Sequence, residues 1–185
     1  MRVLFMQAED HMSQLEQRTF RDACGLFATG VNVITTHWDG HDHGMTANAF
    51  MSISLDPPLI AISIAEKARM LGKIQASCRF AVSVLASGKD KIAWHFAGKP
   101  NPELHGLFDS LDGLPVVRGA LAAFSAEVRD EILAGDHTIF VGHVRALNWD
   151  SNADPLLFFK GKFGALEDTR KAPASMPQIE TELMW

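Results

Sequence analysis

The sequence predicts a mainly β protein with flanking helices, folded as an antiparallel barrel or sandwich. Short stretches in which apolar and polar residues alternate recur along the chain, as they do in half-buried strands. Turn residues separate these stretches, and Asp39-Gly40 is a strong hairpin signal. About six or seven such strands at close spacing favour a barrel or sandwich over a parallel sheet of βαβ units.

The chain begins with a helix followed by a β-hairpin. A helix is predicted over residues 15–28 because apolar residues recur at helical spacing: Phe20, Cys24 and Phe27. Thr29-Gly30 ends that pattern. A strand follows over residues 31–38, and residues 39–44 form the turn into the next strand.

That next strand, GMTANAFMSISL over residues 44–55, has an unusual pattern. One face is predicted to be apolar: Ala47, Ala49, Met51, Ile53 and Leu55. The other carries small neutral polar groups around Phe50: Thr46, Asn48, Ser52 and Ser54. Two interpretations remain open, a solvent-facing strand or a cradle for a flat ligand rich in heteroatoms, because small hydroxyls and amides allow close approach and supply hydrogen bonds without charge.

Strands and helices alternate in the middle of the chain. Asp56-Pro57-Pro58 ends the preceding strand, because proline lacks a ladder donor. Four elements are then predicted: a buried strand over 59–64, a helix over 66–76, a strand over 79–85 and a helix over 87–97. Leu71 and Ile74 form the inner face of the first of these helices.

The C-terminal half returns to strands. Residues 99–115, rich in proline and glycine, are predicted to be a loop. Two alternating strands follow over 120–128 and 138–147, joined by residues 129–137, and a last strand covers 156–160. We therefore expect one domain over residues 15–167, between a flexible N-terminal segment, 1–14, and a C-terminal tail, 168–185.

Composition excludes several classes of protein. The net charge of −5 gives no general argument for nucleic acid or an anionic membrane as partner. No apolar segment approaches the ~20 residues of a membrane helix, and no N-terminal signal is visible. Cys24 and Cys78 lack metal-type spacing, so we expect free thiols and a cytoplasmic location. Neither GxGxxG nor a P-loop is present.

Histidines and basic residues give weaker signals. His137, after Gly135-Asp136, is either a polar strand edge or a histidine at a barrel mouth that binds a ligand or moves a proton. The histidines and aspartates of residues 37–43 lie in a turn, and no metal site is predicted there. Lys67 and Arg69 are either a solvated helix face or a phosphate-neutralising pair.

Five stretches together resemble the short-chain flavin reductase family. They are FRDACGLFATGVNVITT, GMTANAFMSISLDPPLIAISI, RFAVSVL, GLPVVRGALA and GDHTIFVGHV, in the order of the family and within residues 20–165. The resemblance implies an FMN-binding split β-barrel with antiparallel Greek-key strands. It also implies a homodimer that reduces FMN, or FAD, with NADH.

The resemblance also implies roles for individual residues. Flavin would lie along the small polar strand, with His137 as the catalytic residue beside the docked nicotinamide. The implied flavin-binding residues are Thr29, Thr46, Ala47, Asn48, Ala49, Ser52, Ser63, Lys67, Arg69 and Phe163. Many members hold the flavin phosphate with a Ser-x-Thr pair, where this chain has Ala68 and Met70. Phosphate binding would then depend on backbone amides, Lys67 and Arg69.

The function implied is an NAD(P)H:flavin oxidoreductase that supplies reduced flavin to a partner monooxygenase. One alternative is a protein of the same fold that keeps FMN tightly bound and acts on another substrate. Another is a non-catalytic flavin-binding dimer. A haem-binding split barrel is a weaker option, with an axial ligand among three histidines: His95, His105 and His143.

Overall fold

The computed structural model describes residues 14–150 and 152–166. Its helices are α1 Gln14–Cys24, α2 Arg69–Ser77 and α3 Asp90–Phe96. Its first strands are β1 Thr29–Gly30, β2 Asn32–Trp38, β3 His41–Ala47, β4 Phe50–Leu55, β5 Pro58–Ala65 and β6 Arg79–Val84. The others are β7 Phe108–Leu111, β8 Leu114–Val117, β9 Ala122–Ala134, β10 His137–Trp149, β11 Leu157–Phe159 and β12 Lys162–Gly164.

The predicted terminal segments lie almost wholly outside the described residues. Of the segment 1–14, only Gln14 is described, where α1 begins, and the tail 168–185 is not described. Both boundaries remain predictions. In the described part of the chain, no helix is long and apolar enough to cross a membrane.

Seven strands form one antiparallel sheet in the order β3-β2-β6-β9-β10-β5-β4. Its two edge strands, β3 and β4, are consecutive in the chain and are joined only by Asn48 and Ala49. Because so short a connection must span from one edge to the other, the sheet curls until its edges approach each other. A three-stranded sheet, β1-β11-β12, and the hairpin β7-β8 complete the fold. The mainly β, antiparallel class is confirmed.

The interior of the curled sheet is the main hydrophobic core. Its buried members come from β2, β5, β6, β9, β10 and α2: Ile34, Ile60, Ile62, Ile64, Met70, Ile74, Phe80, Val82, Ala126 and Phe140. Helix α2 contributes Met70 and Ile74, so it packs against this interior. The predicted inner residue Ile74 is fully buried, and Leu71 packs partly against the core.

A second core positions α3 and the β11-β12 hairpin. Val31 and Val33 meet Ile92 and Ala93 of α3, and Leu156 just before β11 joins them. Helix α3 begins at Asp90, later than predicted, with Lys89 as its N-cap and no side-chain capping bond. The packing brings α3 against β3, since Thr46 Oγ1 donates a hydrogen bond to the Ala93 carbonyl at 2.7 Å.

The predicted strand over residues 44–55 is broken in the middle. Asn48 and Ala49 belong to no strand, and the register of β4 against β5 shifts between Ser52 and Ser54. Three residues of the predicted apolar face are exposed: Met51, Ile53 and Leu55, at 57%, 44% and 70%. They lie on an edge strand whose outer face is not covered by any of the described residues.

Three other sequence predictions were wrong in detail. Helix α1 ends at Cys24, earlier than the predicted end at Ala28, and Phe20 and Phe27 are exposed. Residues 129–137 mostly extend β9 and β10, with the turn confined to Gly135-Asp136. The predicted loop over 99–115 contains the β7-β8 hairpin, with positive φ at Asp112 and Gly113 as at the predicted Asp39-Gly40 turn.

Candidate active site

An apolar cleft of about 300 Å³ lies where β3 ends. Thr46, Ala47 and Asn48 form one side. The others come from β11-β12, α3 and its C-terminal end, and the residue before β2: Phe158, Gly161, Phe163, Trp94, Ala97 and Val31. A cavity of this size and apolar lining, with a few polar groups at one side, suits one planar ring system.

Thr46 and Asn48 differ in what they do within the protein. The Thr46 hydroxyl is already a donor to the Ala93 carbonyl, so towards a ligand it can only accept. Among the described residues, the exposed side-chain amide of Asn48 has no hydrogen-bond partner. Asn48 therefore offers the cleft a donor and an acceptor that the fold does not use.

Aromatic side chains form the opposite wall. The Trp94 and Phe163 rings lie 5.1 Å apart at 57°, and Phe158 and Phe163 lie 5.9 Å apart at 61°. Tilted contacts of this kind leave ring faces and edges available to a further ring. Gly161, with a φ of +76°, turns the chain between β11 and β12 beside this wall.

Thr29 carries a buried hydroxyl without a partner. Its Oγ1 makes no hydrogen bond to any described residue, although burying such a group unpaired is costly. Thr29 pairs in register with Phe158, which lines the cleft, but Thr29 itself does not line it. An orphaned hydroxyl beside the cleft and the free Asn48 amide fit a ligand rich in heteroatoms, as flavin is.

Other predicted flavin-binding residues lie away from the cleft. Ala49 and Ser63 line a separate cavity of about 170 Å³ with Ile139, and the Ser63 amide donates to the Ala49 carbonyl at 3.4 Å. Ser52 is exposed on β4 and lines none of the cavities described here. Asn48 and Ala49 thus connect the apolar cleft to this smaller cavity.

The predicted phosphate region lies at the start of α2. Arg69 lines a cavity of about 480 Å³ with Lys73 and His43. Ala68 is the N-cap of α2 and makes no side-chain capping bond, and the Met70 side chain is 4% exposed in the core. Neither position supplies a hydroxyl, which leaves backbone amides and cationic side chains to bind an anion there.

His137 lies at the start of β10 with its imidazole held by Asp136. His137 Nδ1 and Asp136 Oδ1 are 2.7 Å apart. This hydrogen bond, and then the charge of His137, hold the pKa of Asp136 below its usual value. Because an ionised carboxylate only accepts, Nδ1 donates and Nε2 remains for a ligand.

The end of β5 is tied to the start of β10. The Glu66 amide donates to the Asp136 carbonyl at 2.9 Å, and Thr138 Oγ1 donates to Glu66 Oε1 at 2.6 Å. Lys67 lies close enough to lower the pKa of Asp136 slightly by its charge. His137 and Lys67 are thus neighbours, but neither lines the apolar cleft.

Comparison with known proteins matches the chain to one family. Residues 24–167 fit the model of the flavin reductase like domain. The chain belongs to the flavin reductase-like family. It is 41% identical over 150 residues to an NADH-dependent flavin reductase from Rhodococcus sp., covering 80% of this chain and 85% of that protein.

Two further relatives bear on fold and partner. The solved structure of the flavin reductase PheA2 is 50% identical, with a TM-score of 0.78 over 81% of this chain and 97% of PheA2. The reductase component of 4-hydroxyphenylacetate 3-monooxygenase from Thermus thermophilus is 34% identical over 78% of this chain and 93% of its own. The predicted family, split-barrel fold class, enzyme class and cofactors are confirmed.

Within this flavin reductase-like domain, the cleft brings together four of the predicted site residues: Thr46, Ala47, Asn48 and Phe163. Sequence analysis did not identify Trp94 or assign Phe158 to the site. The helical pattern offered one signal for Trp94. It follows the buried pair Ile92-Ala93 in α3, so its large aromatic side chain lies at the edge of the buried face. Phe163 was predicted as a site residue, but the strand that carries it, β12, was not, because residues 156–160 were predicted as the last strand.

The turn histidines of this domain are engaged with neighbouring groups. His37 Nδ1 lies 2.6 Å from Asp42 Oδ1, and His41 Nδ1 lies 2.7 Å from the Asp39 carbonyl oxygen. Of the histidines considered as haem ligands, His95 accepts a hydrogen bond from the Asn101 amide at 2.9 Å. None of these histidines lines the apolar cleft.

Proposed function

We propose that this protein binds the isoalloxazine ring of flavin in the apolar cleft, beside Thr46, Ala47 and Asn48, and reduces it with NADH. The observation that carries the assignment is the pairing of an unused amide, Asn48, with an apolar and aromatic cleft of about 300 Å³. Bound flavin supplies the hydride-accepting chemistry. The protein holds the two rings in contact, excludes water with its aromatic wall and orients the polar edge of the flavin.

His137 is proposed to act at the nicotinamide. Asp136 fixes the imidazole through Nδ1, so Nε2 has a defined direction and can accept or donate a hydrogen bond. A histidine held in this way can orient a carboxamide or carry a proton. Since His137 lies outside the apolar cleft, it would act at the side of the bound pair nearest the β5-β10 junction.

The flavin phosphate is proposed to bind at the start of α2. Arg69 and Lys67 supply charge there in place of the Ser-x-Thr hydroxyls. Because the hydroxyl positions are occupied by Ala68 and the core residue Met70, we expect modest affinity, with flavin exchanging as a substrate. FMN is expected to suffice, with FAD as the alternative.

Absorbance of NADH in the presence of FMN, FAD or no flavin tests the activity. Saturable consumption of NADH with added flavin supports the activity, and no turnover together with no flavin binding refutes it.

Combining Thr46→Val with Asn48→Leu should raise the flavin Kd by about tenfold or more, because both polar contacts at the ring edge are lost. Unchanged binding would rule out this cleft.

Reduced flavin is proposed to leave and supply a separate monooxygenase. The support is the similarity to a monooxygenase reductase component over most of both chains. The second candidate, a protein that keeps FMN bound, predicts that purified protein stays yellow through desalting. Release of colour on desalting, with turnover retained on adding flavin, favours the exchanging reductase.

A cytoplasmic location is proposed because both cysteines, Cys24 and Cys78, are free and exposed.

A homodimer is proposed from the uncovered edge strand. Exposed Met51, Ile53 and Leu55 on β4 would leave an apolar strand edge open to solvent, which folded proteins avoid. A second copy of the chain would cover it. Ile53→Lys should shift the light-scattering mass towards the monomer. Leu147→Lys is the control, since Leu147 is similarly exposed on β10 beyond the part paired with β5. A dimer that is equally stable with Ile53→Lys would refute this interface.

A further inference from the structure

Trp94 lies at the mouth of the cleft with a lysine above its ring. It lines the cleft and yet is 42% exposed, and the Lys99 Nζ atom lies 4.1 Å from its ring centroid. Among the described residues, the Lys99 ammonium has no carboxylate partner. An ammonium held only over an exposed indole is held weakly, so it can leave the ring face when an anion is near.

A second unpaired lysine flanks the same mouth. Lys160 lies in the β11-β12 turn, 5.2 Å from the centroid of the Phe159 ring, and has no carboxylate partner in the described part of the chain. Its neighbour Gly161 lines both the apolar cleft and an adjoining cavity of about 460 Å³. The two cavities therefore meet at this turn.

The adjoining cavity is more polar than the cleft. Lys160 and Arg21 line it, together with Asp22, whose carboxylate lies 4.0 Å from Arg18. The exposed indole of Trp94 thus lines the cleft, and the cationic side chains of Lys160 and Arg21 line the cavity that adjoins it at Gly161. An aromatic ring near cationic side chains is a pattern that binds a base and its phosphates.

We infer that Trp94 and Lys99 form a subsite for the adenine nucleotide half of a dinucleotide. The inference rests on the proposed function, because the flavin ring fills the cleft and the nicotinamide stacks on it, which leaves the adenosine diphosphate half of the dinucleotide for the cleft mouth. The adenine stacks on Trp94 once Lys99 moves from the ring face onto the pyrophosphate, with Lys160 as the second cation. The adenine is assigned to NADH, because the flavin phosphate, to which the adenylate of FAD is joined, is proposed to bind at the start of α2; kinetics separate NADH from FAD as the source.

Binding of ADP to the full-length protein tests the subsite directly. Quenching of tryptophan fluorescence by ADP is expected in the wild type. Trp94→Ala should weaken ADP binding by about tenfold, from the loss of one base–aromatic stack. Lys99→Gln should weaken it less and reduce its salt dependence. Two controls should leave ADP affinity unchanged: Trp149→Ala, a more exposed tryptophan away from the cleft, and Lys91→Gln, an exposed lysine of α3.

Kinetics identify which adenine occupies the subsite. If it is that of NADH, Trp94→Ala raises KM for NADH by about tenfold more than KM for reduced nicotinamide mononucleotide, which lacks adenine and reports the part of the effect that comes from losing the cleft wall. If it is that of FAD, Trp94→Ala lowers affinity for FAD by about tenfold more than for FMN, and the flavin phosphate then does not bind at the start of α2. Either selective result supports the subsite, with Trp94→Phe expected to retain most of the affinity.

Two outcomes separate this inference from the proposed function. ADP affinity within about twofold of the wild type in Trp94→Ala would overturn the subsite, even in a fully active reductase. A wild type that binds ADP through Trp94 but oxidises no NADH with any flavin would overturn the proposed function and leave the subsite standing. Circular dichroism of each variant excludes loss of fold as the cause.

Discussion

A side chain at Gly142 of β10 should destabilise the fold. An alanine Cβ built there would lie 2.5 Å from Phe80 Cζ, 2.8 Å from Phe80 Cε1 and 2.9 Å from Ala126 Cβ. Phe80 and Ala126 are fully buried in the main core, so the ring cannot rotate into solvent to relieve the clash. Gly142→Ala is therefore an overpacking substitution on the strand that carries His137.

The magnitude follows from two opposing effects. Forcing one methyl group into a packed core costs roughly 1–3 kcal/mol. Replacing glycine also restricts the unfolded chain, which returns roughly 0.4–1 kcal/mol. The net loss in free energy of unfolding is about 1–2 kcal/mol, which for a domain of this size lowers Tm by about 2–8 °C.

Thermal and urea unfolding followed by circular dichroism measure this loss. Gly72→Ala is the matched control, because Gly72 lies inside α2 and a Cβ there meets no atom within 4 Å. That substitution should raise the free energy of unfolding by roughly 0.5–1 kcal/mol, from helix propensity. The same chemical change is thus expected to have opposite signs at the two positions.

A Tm for Gly142→Ala at or above that of the wild type would refute the packing argument. A double-mutant cycle with Phe80→Leu locates the cause. If the clash is with the Phe80 ring, Gly142→Ala should cost less in the Phe80→Leu background than alone. An equal cost in both backgrounds would place the strain elsewhere.

Two further predictions concern the site. Thr46→Val should lower the free energy of unfolding by about 1 kcal/mol, measured in urea, because it removes the bond to the Ala93 carbonyl; a loss above about 3 kcal/mol would contradict this, since that carbonyl still accepts from the Ala97 amide. Asp136→Asn should have a lower Tm than the wild type at pH values above about 3.9, the ordinary carboxyl pKa. At lower pH the two Tm values should converge. The sign follows because the pKa of Asp136 is lowered in the folded state, so its ionised carboxylate stabilises the fold at higher pH and this stabilisation is lost on acidification. A difference in Tm that widens towards acid would contradict the prediction.

Local patterns in the sequence determined the class of fold and one part of the site. Alternation and turn residues are short-range properties, so the antiparallel β class and the Asp39-Gly40 hairpin follow from the residues themselves. The run containing Thr46, Ala47 and Asn48 was singled out as unusual by its small polar side chains, and the structure places it at the cleft. The motif order added the family, which the comparisons confirm.

Tertiary structure decided where the strand over residues 44–55 is interrupted and which of its faces is exposed. Periodicity cannot show that the strand breaks at Asn48 and Ala49, because the break exists only where the sheet curls and its edges meet. It placed Met51 on an apolar face but could not show that this face is exposed, since alternation identifies two faces and not which of them is covered.

Contacts between distant segments likewise lie beyond local pattern. Trp94 and Phe163 are far apart in the sequence and form one wall because α3 and the β11-β12 hairpin pack on the same core. The separation of His137 from the apolar cleft also depends on sheet register. By itself the sequence determined which residues have the chemistry of a site, and the packing of the sheet decided which of them meet, because contacts depend on distances that no local periodicity encodes.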